Sequence, residues 1–238
     1  MRRPIRFATR LARALVGLVG VVAATASASA LPPPAAVEGT AVSFPSTSPF
    51  VLTEAGDGAP TVTARARLFL PPGEAGPVPA VVLLHGAGGV SWARERRYAR
   101  QLAGRGWAAL VVDVFGPRVE PGTGFTERLL RVTEAMFLAD AYAGLRYLAG
   151  HPRVDGERVA LVGFSYGGMA AIYALHAQVA ERYAPAGRRF AAHAAYYAPC
   201  IARFERVATT AAPFLRLYGG GDAIVEPARC AAVTGDLR

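Results

Sequence analysis

The alternation of apolar and polar positions first becomes regular at residues 61–70. One face carries apolar side chains, at Val62, Ala64, Ala66, Leu68 and Leu70. The other face carries polar side chains, at Thr61, Thr63, Arg65 and Arg67. This period of two predicts a half-exposed strand suited to an antiparallel edge. Residues 48–58 are a weaker candidate for its hairpin partner. The Pro- and Ser-rich stretch 31–49 predicts an extended lead-in, so the domain is expected to begin at residue 50.

Beyond residue 77 the pattern changes to short, continuously apolar runs. Five runs, too short for good helices and rich in Val, Leu and aromatic residues, cover residues 78–86, 107–115, 158–165, 190–199 and 213–222. Helical segments separate them at 91–106, with Ser91 as N-cap and Gly104 as stop, and at 126–152 and 165–185. Strands alternating with helices predict an α/β fold, a doubly wound and mostly parallel sheet with helices on both faces.

The positive charge is concentrated at the N-terminus. The formal net charge is +9, but five of the 26 arginines fall within the first 13 residues, and the other 21 face 17 acidic residues without forming a long basic run. This distribution argues against a nucleic-acid partner. A basic segment, an apolar segment and small residues ending at Ala30 predict a signal peptide over 1–30 and export to the periplasm or beyond. The alternative is an uncleaved anchor, although the apolar run is shorter than the roughly 20 residues that span a membrane.

Cys200 and Cys230 are the two cysteines of the chain. In an oxidising compartment they are expected to form one disulfide, and the alternative is two buried thiols.

Candidate chemistry lies where the predicted strands end, because functional residues of an open parallel sheet gather beyond its carboxyl edge. Residues 163–167 read Gly-Phe-Ser-Tyr-Gly between a strand and a helix, which predicts a nucleophilic Ser165 in a tight turn. The alternative is a Gly-rich turn that packs a helix against a strand. Residues 83–89, LLHGAGG, end another strand and predict an oxyanion hole formed by the backbone N–H groups of Ala87 and Tyr166. An ordinary βα turn is the alternative.

Two further strand ends carry charged residues. Asp222 follows the last apolar run, where an acid is placed to orient a catalytic histidine. Arg118 ends the stretch VVDVFGPR, and its guanidinium is expected either to bind a substrate carboxylate or to be a solvated loop arginine.

Together these motifs resemble the dienelactone hydrolase family of α/β-hydrolases. The stretches LLHGAGG, VVDVFGPR, HPRVDGERVALVGFSYGG and LYGGGDAIVEPARC carry the resemblance, which runs from about Thr61 to the end. It implies a Cys or Ser nucleophile, an Asp and a His that cleave lactones or other carboxylic esters. It also implies a substrate-binding role for Arg118 and supports a Cys200–Cys230 bridge. The founding type carries Cys where this chain has Ser165, so the resemblance does not imply dienelactone itself as the substrate.

The chain offers no well-placed histidine for Ser165. His176 lies eleven residues further along the same predicted helix, about 16 Å away along its axis. His85 is expected to hold the oxyanion turn by hydrogen bonding, while His151 and His193 fall at the amino ends of strands. The expected order is Ser, Asp, His, yet no histidine follows Asp222. We therefore expect the sequence to lack its C-terminal portion, including the last strand and helix.

The sequence thus predicts an exported serine hydrolase that cleaves a small-molecule ester or lactone through an acyl-enzyme. No metal or organic cofactor is expected, because ligand clusters and phosphate-binding motifs are absent from the sequence. No membrane span is expected after signal cleavage. The alternatives are a catalytically inactive scaffold with a binding role and an exported peptidase on the same fold.

Overall fold

A computed structural model describes residues 37–55, 58–73, 76–184, 186–202, 204, 206–222, 225 and 228–231. The predicted signal peptide, the start of the lead-in and the last seven residues lie outside this part of the chain. The strands are β1 (Thr40–Thr47), β2 (Thr61–Phe69), β3 (Val78–Leu84), β4 (Ala108–Asp113), β5 (Val154–Phe164), β6 (Ala192–Tyr196) and β7 (Phe214–Leu217). The α-helices are α1 (Arg97–Ala103), α2 (Phe125–Arg131), α3 (Glu134–Ala149), α4 (Tyr166–Tyr173) and α5 (Ala177–Tyr183). A π-helical turn (Trp92–Arg96) precedes α1.

The five predicted apolar runs form β3 to β7. They are parallel to one another within a sheet of order β1-β2-β4-β3-β5-β6-β7. On the central strand β3, Val82 and Leu84 pack into one core, and Val81 and Leu83 pack into a second core on the opposite face. A strand buried on both faces needs an apolar residue at nearly every position, which explains the continuous apolar pattern. The predicted α/β fold is confirmed.

Helices cover both faces of the sheet. Helix α1 contacts β4 and β2 on one face, whereas α3 and α4 contact β5 on the other. The Ser91 hydroxyl accepts a hydrogen bond from the Ala93 N–H at 3.2 Å, and Gly104 caps the end of α1, as predicted. Within the described residues, no helix has both the length and the apolar character needed to cross a membrane.

The N-terminal strands differ from the sequence prediction. β2 is antiparallel to β4, as expected, but β1, and not residues 48–58, is its hairpin partner. The predicted lead-in over 31–49 therefore contains a strand of the sheet, and the fold begins before residue 50. Pro45 makes this strand difficult to predict from the sequence, because proline has no backbone N–H and is uncommon in strands. Proline is tolerated here because β1 is an edge strand, where one side of the backbone needs no ladder hydrogen bonds.

Two predicted helices are each interrupted. The run 126–152 breaks between α2 and α3 at Val132 and Thr133, where the Val132 carbonyl accepts a hydrogen bond from the Tyr166 hydroxyl at 3.1 Å. The run 165–185 breaks at His176, which is extended and pairs with Thr209. In both cases contacts with a distant segment replace helix continuation. His176 is therefore not on the helix that follows Ser165.

Candidate active site

The turn from β5 into α4 holds Ser165 in a strained backbone conformation. Its φ is +52° and its ψ is −113°, in a region that residues other than glycine rarely occupy. A Cβ on Gly163 would lie 2.0 Å from the Gly167 carbonyl oxygen, and a Cβ on Gly167 would lie 2.5 Å from the His85 carbonyl oxygen. Both flanking glycines are thus required by close backbone contacts. This is the tight strand-to-helix turn that the G-x-S-x-G pattern predicts.

The turn after β3 lies directly against Ser165. A Cβ on Gly86 would be 3.2 Å from Ser165 Cβ and 3.8 Å from Ser165 Oγ. The Gly89 N–H closes this turn on the Gly86 carbonyl at 3.0 Å, and the Gly167 N–H donates to the His85 carbonyl at 3.1 Å. The two segments that are predicted to supply oxyanion donors are therefore joined by a hydrogen bond.

The N–H groups of Ala87 and Tyr166 are available for a ligand. Across the described residues, neither donates to a protein acceptor. Tyr166 begins α4, so its N–H is one of those that a helix start leaves unpaired. Its side chain points elsewhere, since the hydroxyl lies 3.1 Å from the Val132 carbonyl and 3.3 Å from Glu134.

His85 is fully buried and holds the turn. Its Nδ1 lies 2.7 Å from the Gly86 carbonyl, and its Nε2 lies 3.1 Å from the Val114 N–H. Since Nε2 accepts, the proton is on Nδ1 and the imidazole is neutral. Burial lowers the pKa of His85. The predicted loop-holding role of His85 is confirmed, and both ring nitrogens are engaged away from Ser165.

The other histidines lie elsewhere. His151 Nδ1 accepts the Arg153 N–H at 3.2 Å, before β5 begins. His193, near the start of β6, is bonded to the Ala171 carbonyl at 3.1 Å, and burial lowers its pKa to about 4. His176 is buried against the Phe204 ring. In the described part of the chain, no histidine ring is hydrogen-bonded to Ser165.

Arg118 is not a solvated loop arginine, one of the two alternatives expected from the sequence. Its side chain is 5% exposed, and all five N–H groups of the guanidinium have acceptors. Both carboxylate oxygens of Asp140 accept, at 2.7 and 2.9 Å, and the remaining acceptors are Ser48 Oγ and the carbonyls of Val114 and Thr47. This geometry leaves no donor for a substrate carboxylate, so it does not support the substrate-binding role of Arg118, which stays a prediction. The bidentate pair ties the end of β4 to α3 and β1.

Sequence reasoning missed Asp140 and Glu95, two fully buried carboxylates. Asp140 lies within an otherwise apolar stretch of α3, and an isolated acid in such a run is the signal that points to a buried partner. Glu95 accepts the Ser91 N–H at 2.7 Å and pairs with Arg94 Nε at 2.5 Å. The sequence around Glu95 gives no comparable signal, because this acid lies among the arginines of the stretch RERR.

Arg94 and Arg128 flank the turn beside Ser165. Arg94 Nη2 lies 3.5 Å from the Gly89 carbonyl, and Arg128 Nη1 lies 3.4 Å from the Gly88 carbonyl. Arg128 also lies over the Phe115 ring, 5.4 Å from its centroid. Arg94 is paired with Glu95, whereas Arg128 has no carboxylate partner among the described residues. The unbalanced positive charge beside this turn therefore comes from Arg128 and not from Arg118.

Asp222 lies in the loop after β7, at the same edge of the sheet as Ser165. Its Oδ1 accepts the Val225 N–H at 3.1 Å. The Sγ atoms of Cys200 and Cys230 are bonded, with the Cα atoms 5.0 Å apart. This bond links the segment after β6 to the helical segment after Asp222. Groups of three or more potential metal ligands do not occur among the described residues.

Comparisons with known proteins agree with this architecture. The family model for the dienelactone hydrolase family matches residues 64–237. The rat acyl-coenzyme A thioesterase 1 is 39% identical over 104 residues, which cover 44% of this chain and 22% of that protein. The "Probable 2-oxo-3-(5-oxofuran-2-ylidene)propanoate lactonase" of Bradyrhizobium sp is 31% identical over 103 residues, 42% of this chain and 41% of that protein. The matches thus span less than half the length of these relatives.

A solved structure shares the fold at low sequence identity. The dienelactone hydrolase-like promiscuous phosphotriesterase from metagenomic libraries has a TM-score of 0.61 and 24% identity, covering 84% of this chain and 77% of that one. The family match covers well over half of the sequence and includes the Ser165 turn, β7 and Asp222. The chain therefore belongs to the dienelactone hydrolase family and has the α/β-hydrolase fold.

Proposed function

We propose that this protein is a serine hydrolase that cleaves a carboxylic ester or lactone through an acyl-enzyme on Ser165. The observation that carries the proposal is the strained Ser165 turn packed against Gly86. Among the described residues, the N–H groups of Ala87 and Tyr166 in these two segments have no protein acceptor. The names of the matched relatives, a thioesterase and a lactonase, both describe acyl transfer to water. They favour acyl chemistry over other uses of the fold.

The proposed chemistry follows from these positions. Ser165 Oγ attacks the carbonyl carbon, and the Ala87 and Tyr166 N–H groups stabilise the negative charge that develops on the carbonyl oxygen. The position of Tyr166 at the start of α4 adds the positive end of the helix dipole. The leaving oxygen takes up the proton that Ser165 gave to the base and departs as an alcohol. Water then attacks the acyl-enzyme and loses a proton to the same base, which returns it to Ser165 Oγ as the carboxylic acid is released. Asp222 is assigned the role of orienting the imidazole that accepts the serine proton.

The experiment is a comparison of matched serine variants. Wild-type protein, Ser165→Ala and Ser43→Ala are assayed with p-nitrophenyl butyrate, and folding of each is checked by circular dichroism. Ser43 is exposed on the edge strand β1, so its replacement controls for loss of a serine hydroxyl as such. We expect turnover to fall to background in Ser165→Ala and to stay unchanged in Ser43→Ala. Equal turnover by wild type and a folded Ser165→Ala would contradict the proposal.

We further propose that the protein is exported and cleaved after Ala30. The basic and apolar segments of residues 1–26 support this, and so does a Cys200–Cys230 disulfide, which persists in oxidising compartments. N-terminal sequencing of protein from the periplasm or medium is expected to begin at Leu31. A cytosolic protein that retains Met1 would contradict export.

A further inference from the structure

A small cavity with a basic lining opens on the face of the sheet that α1 covers. Its volume is about 170 Å³, and it is lined by Ala41, Arg65, Ala66, Arg67, Val90, Arg96, Val111 and Asp113. This volume corresponds to about five or six waters at liquid density. The cavity is thus large enough for a small polyatomic anion, and three of its lining side chains are arginines.

The strand register places the charged groups together. Arg65 pairs with Asp113 and Arg67 pairs with Val111 across β2 and β4, and alternate residues of a strand share a face. These four residues therefore point to the same side of the sheet. Arg96 approaches from the π-helical turn that leads into α1. Three arginines from two elements of regular secondary structure therefore line one cavity.

None of the three arginines has a carboxylate partner within the described residues. Arg67 Nη1 donates to the Gly39 carbonyl at 2.7 Å, and Arg65 Nη1 makes a long contact of 3.4 Å with the Gly116 carbonyl. Arg96 stacks on the Trp92 ring, with its guanidinium carbon 3.8 Å from the ring centroid. Asp113 is the single acid among the described lining residues, and its Oδ1 already accepts the Gly116 N–H. The lining therefore carries a formal charge of +2.

Like charges crowd Arg96. Its pKa is held below its usual value first by burial and then by the charges of Arg67 and Arg100. Arg100 is paired with Glu38, and Asp113 and Glu38 oppose part of the repulsion on Arg96. Among the lining residues, Arg67 is the like charge that acts on Arg96 and Asp113 is the opposite one. Cations that are held close together in this way favour binding of an anion, which relieves the repulsion and gains charge-assisted hydrogen bonds.

We propose that this cavity is a binding site for a tetrahedral dianion, such as a phosphate or sulfate group, with Arg65, Arg67 and Arg96 as its ligands. The guanidinium fork matches the spacing of oxyanion oxygens. The formal charge of the lining is opposite and equal to that of a dianion. This site is separate from Ser165 and does not depend on the proposed hydrolase activity.

The test is titration of the full chain with inorganic phosphate by isothermal calorimetry at pH 7.5. Sodium chloride is varied to keep the ionic strength constant, because exposed charges are screened by salt. We expect saturable binding that Arg96→Gln weakens about tenfold and Arg65→Gln/Arg96→Gln abolishes. Asp113→Asn removes the one negative charge of the lining and is expected to tighten binding about threefold. This gain cannot result from misfolding.

Arg97→Gln is the matched control, since Arg97 is exposed and does not line the cavity. It should bind phosphate as wild type does. Sulfate should bind about as well as phosphate, and acetate at least about tenfold more weakly, because it carries one charge. Failure of phosphate to saturate at constant ionic strength would overturn the site. Wild-type affinity in a folded Arg96→Gln would also overturn it, and equal affinity for acetate would overturn the assignment to a dianion.

Discussion

The Ser165 side of the carboxyl edge and the Asp222 side are built differently. Ser165 follows β5, a strand of eleven residues that lies between β3 and β6. Asp222 follows β7, a strand of four residues at the end of the described sheet, with Leu215 55% exposed and Leu217 38% exposed. The backbone around Ser165 is packed so closely that neither flanking glycine has room for a Cβ, whereas a disulfide and an edge strand hold the Asp222 loop.

The Ser165 turn and the Asp222 loop are therefore held in position by different kinds of interaction. Strand β5 is packed on both faces, and this packing positions Ser165 at its end without a covalent cross-link. An exposed edge strand has few apolar contacts, so a cross-link contributes a larger share of the order of the Asp222 loop. The following variants test each side against the other.

The largest effect is expected from the buried ion pair on the Ser165 side. Arg118→Leu leaves the Asp140 carboxylate buried without its partner, which should lower the free energy of unfolding by about 3–5 kcal/mol. Urea denaturation measures this loss. Arg206→Gln is the control, because it breaks an exposed pair with Glu181 and should cost at most about 1 kcal/mol. Unchanged stability of Arg118→Leu combined with weaker substrate binding would support the substrate-binding role of Arg118.

A second comparison uses one glycine from each side. Gly163→Ala places a Cβ 2.0 Å from a carbonyl oxygen and should cost about 3 kcal/mol, along with loss of Ser165 reactivity. Gly220→Ala, in the loop before Asp222, meets no atom within 4 Å and should change stability by less than about 0.5 kcal/mol. Thermal unfolding and esterase assays of the two variants measure the contrast. Equal effects would show that the two turns are under similar constraint.

The disulfide tests the Asp222 side alone. Replacing both cysteines by serine opens a loop with a sequence separation of 30 and should cost about 2–4 kcal/mol. Hydrogen exchange should accelerate in β7 and the Asp222 loop while β3 and β5 stay protected. Uniform acceleration over the whole sheet would contradict the local role of this bond.

A smaller effect is expected from His193, on the strand between the two sides. Its folded-state pKa of about 4 lies below the unfolded value of 6.5, so the unfolded chain binds the proton first as the pH falls. The contribution of neutral His193 to the free energy of unfolding is fully present above about pH 6.5 and is lost as the pH falls towards 4. About 2 kcal/mol of the free energy of unfolding should be lost between pH 7 and pH 5. His193→Asn should flatten that part of the stability profile relative to His151→Gln. Identical profiles for wild type and His193→Asn would contradict this assignment.

Much of the Ser165 side could be predicted from the sequence because its signals are local. The apolar runs that form β3 and β5, the Ser91 cap and the two flanking glycines each act within a few residues. The features that escaped prediction depend on distant contacts. Arg118 pairs with Asp140, 22 residues further along the chain, and the extended His176 between α4 and α5 pairs with Thr209. Strand β1 is recognisable only from its pairing with β2. Composition misled at β1 because Pro45 is tolerated at an edge.

The central claim is that Ser165 is the nucleophile, and covalent trapping tests it most directly. The full chain is incubated with a fluorophosphonate, with and without added imidazole to supply a proton acceptor, and the modified peptide is identified by mass spectrometry. The account predicts a single adduct on Ser165 that forms faster with imidazole. No adduct on Ser165 in the folded chain under either condition, or an adduct on another residue while Ser165 stays unmodified, would contradict it.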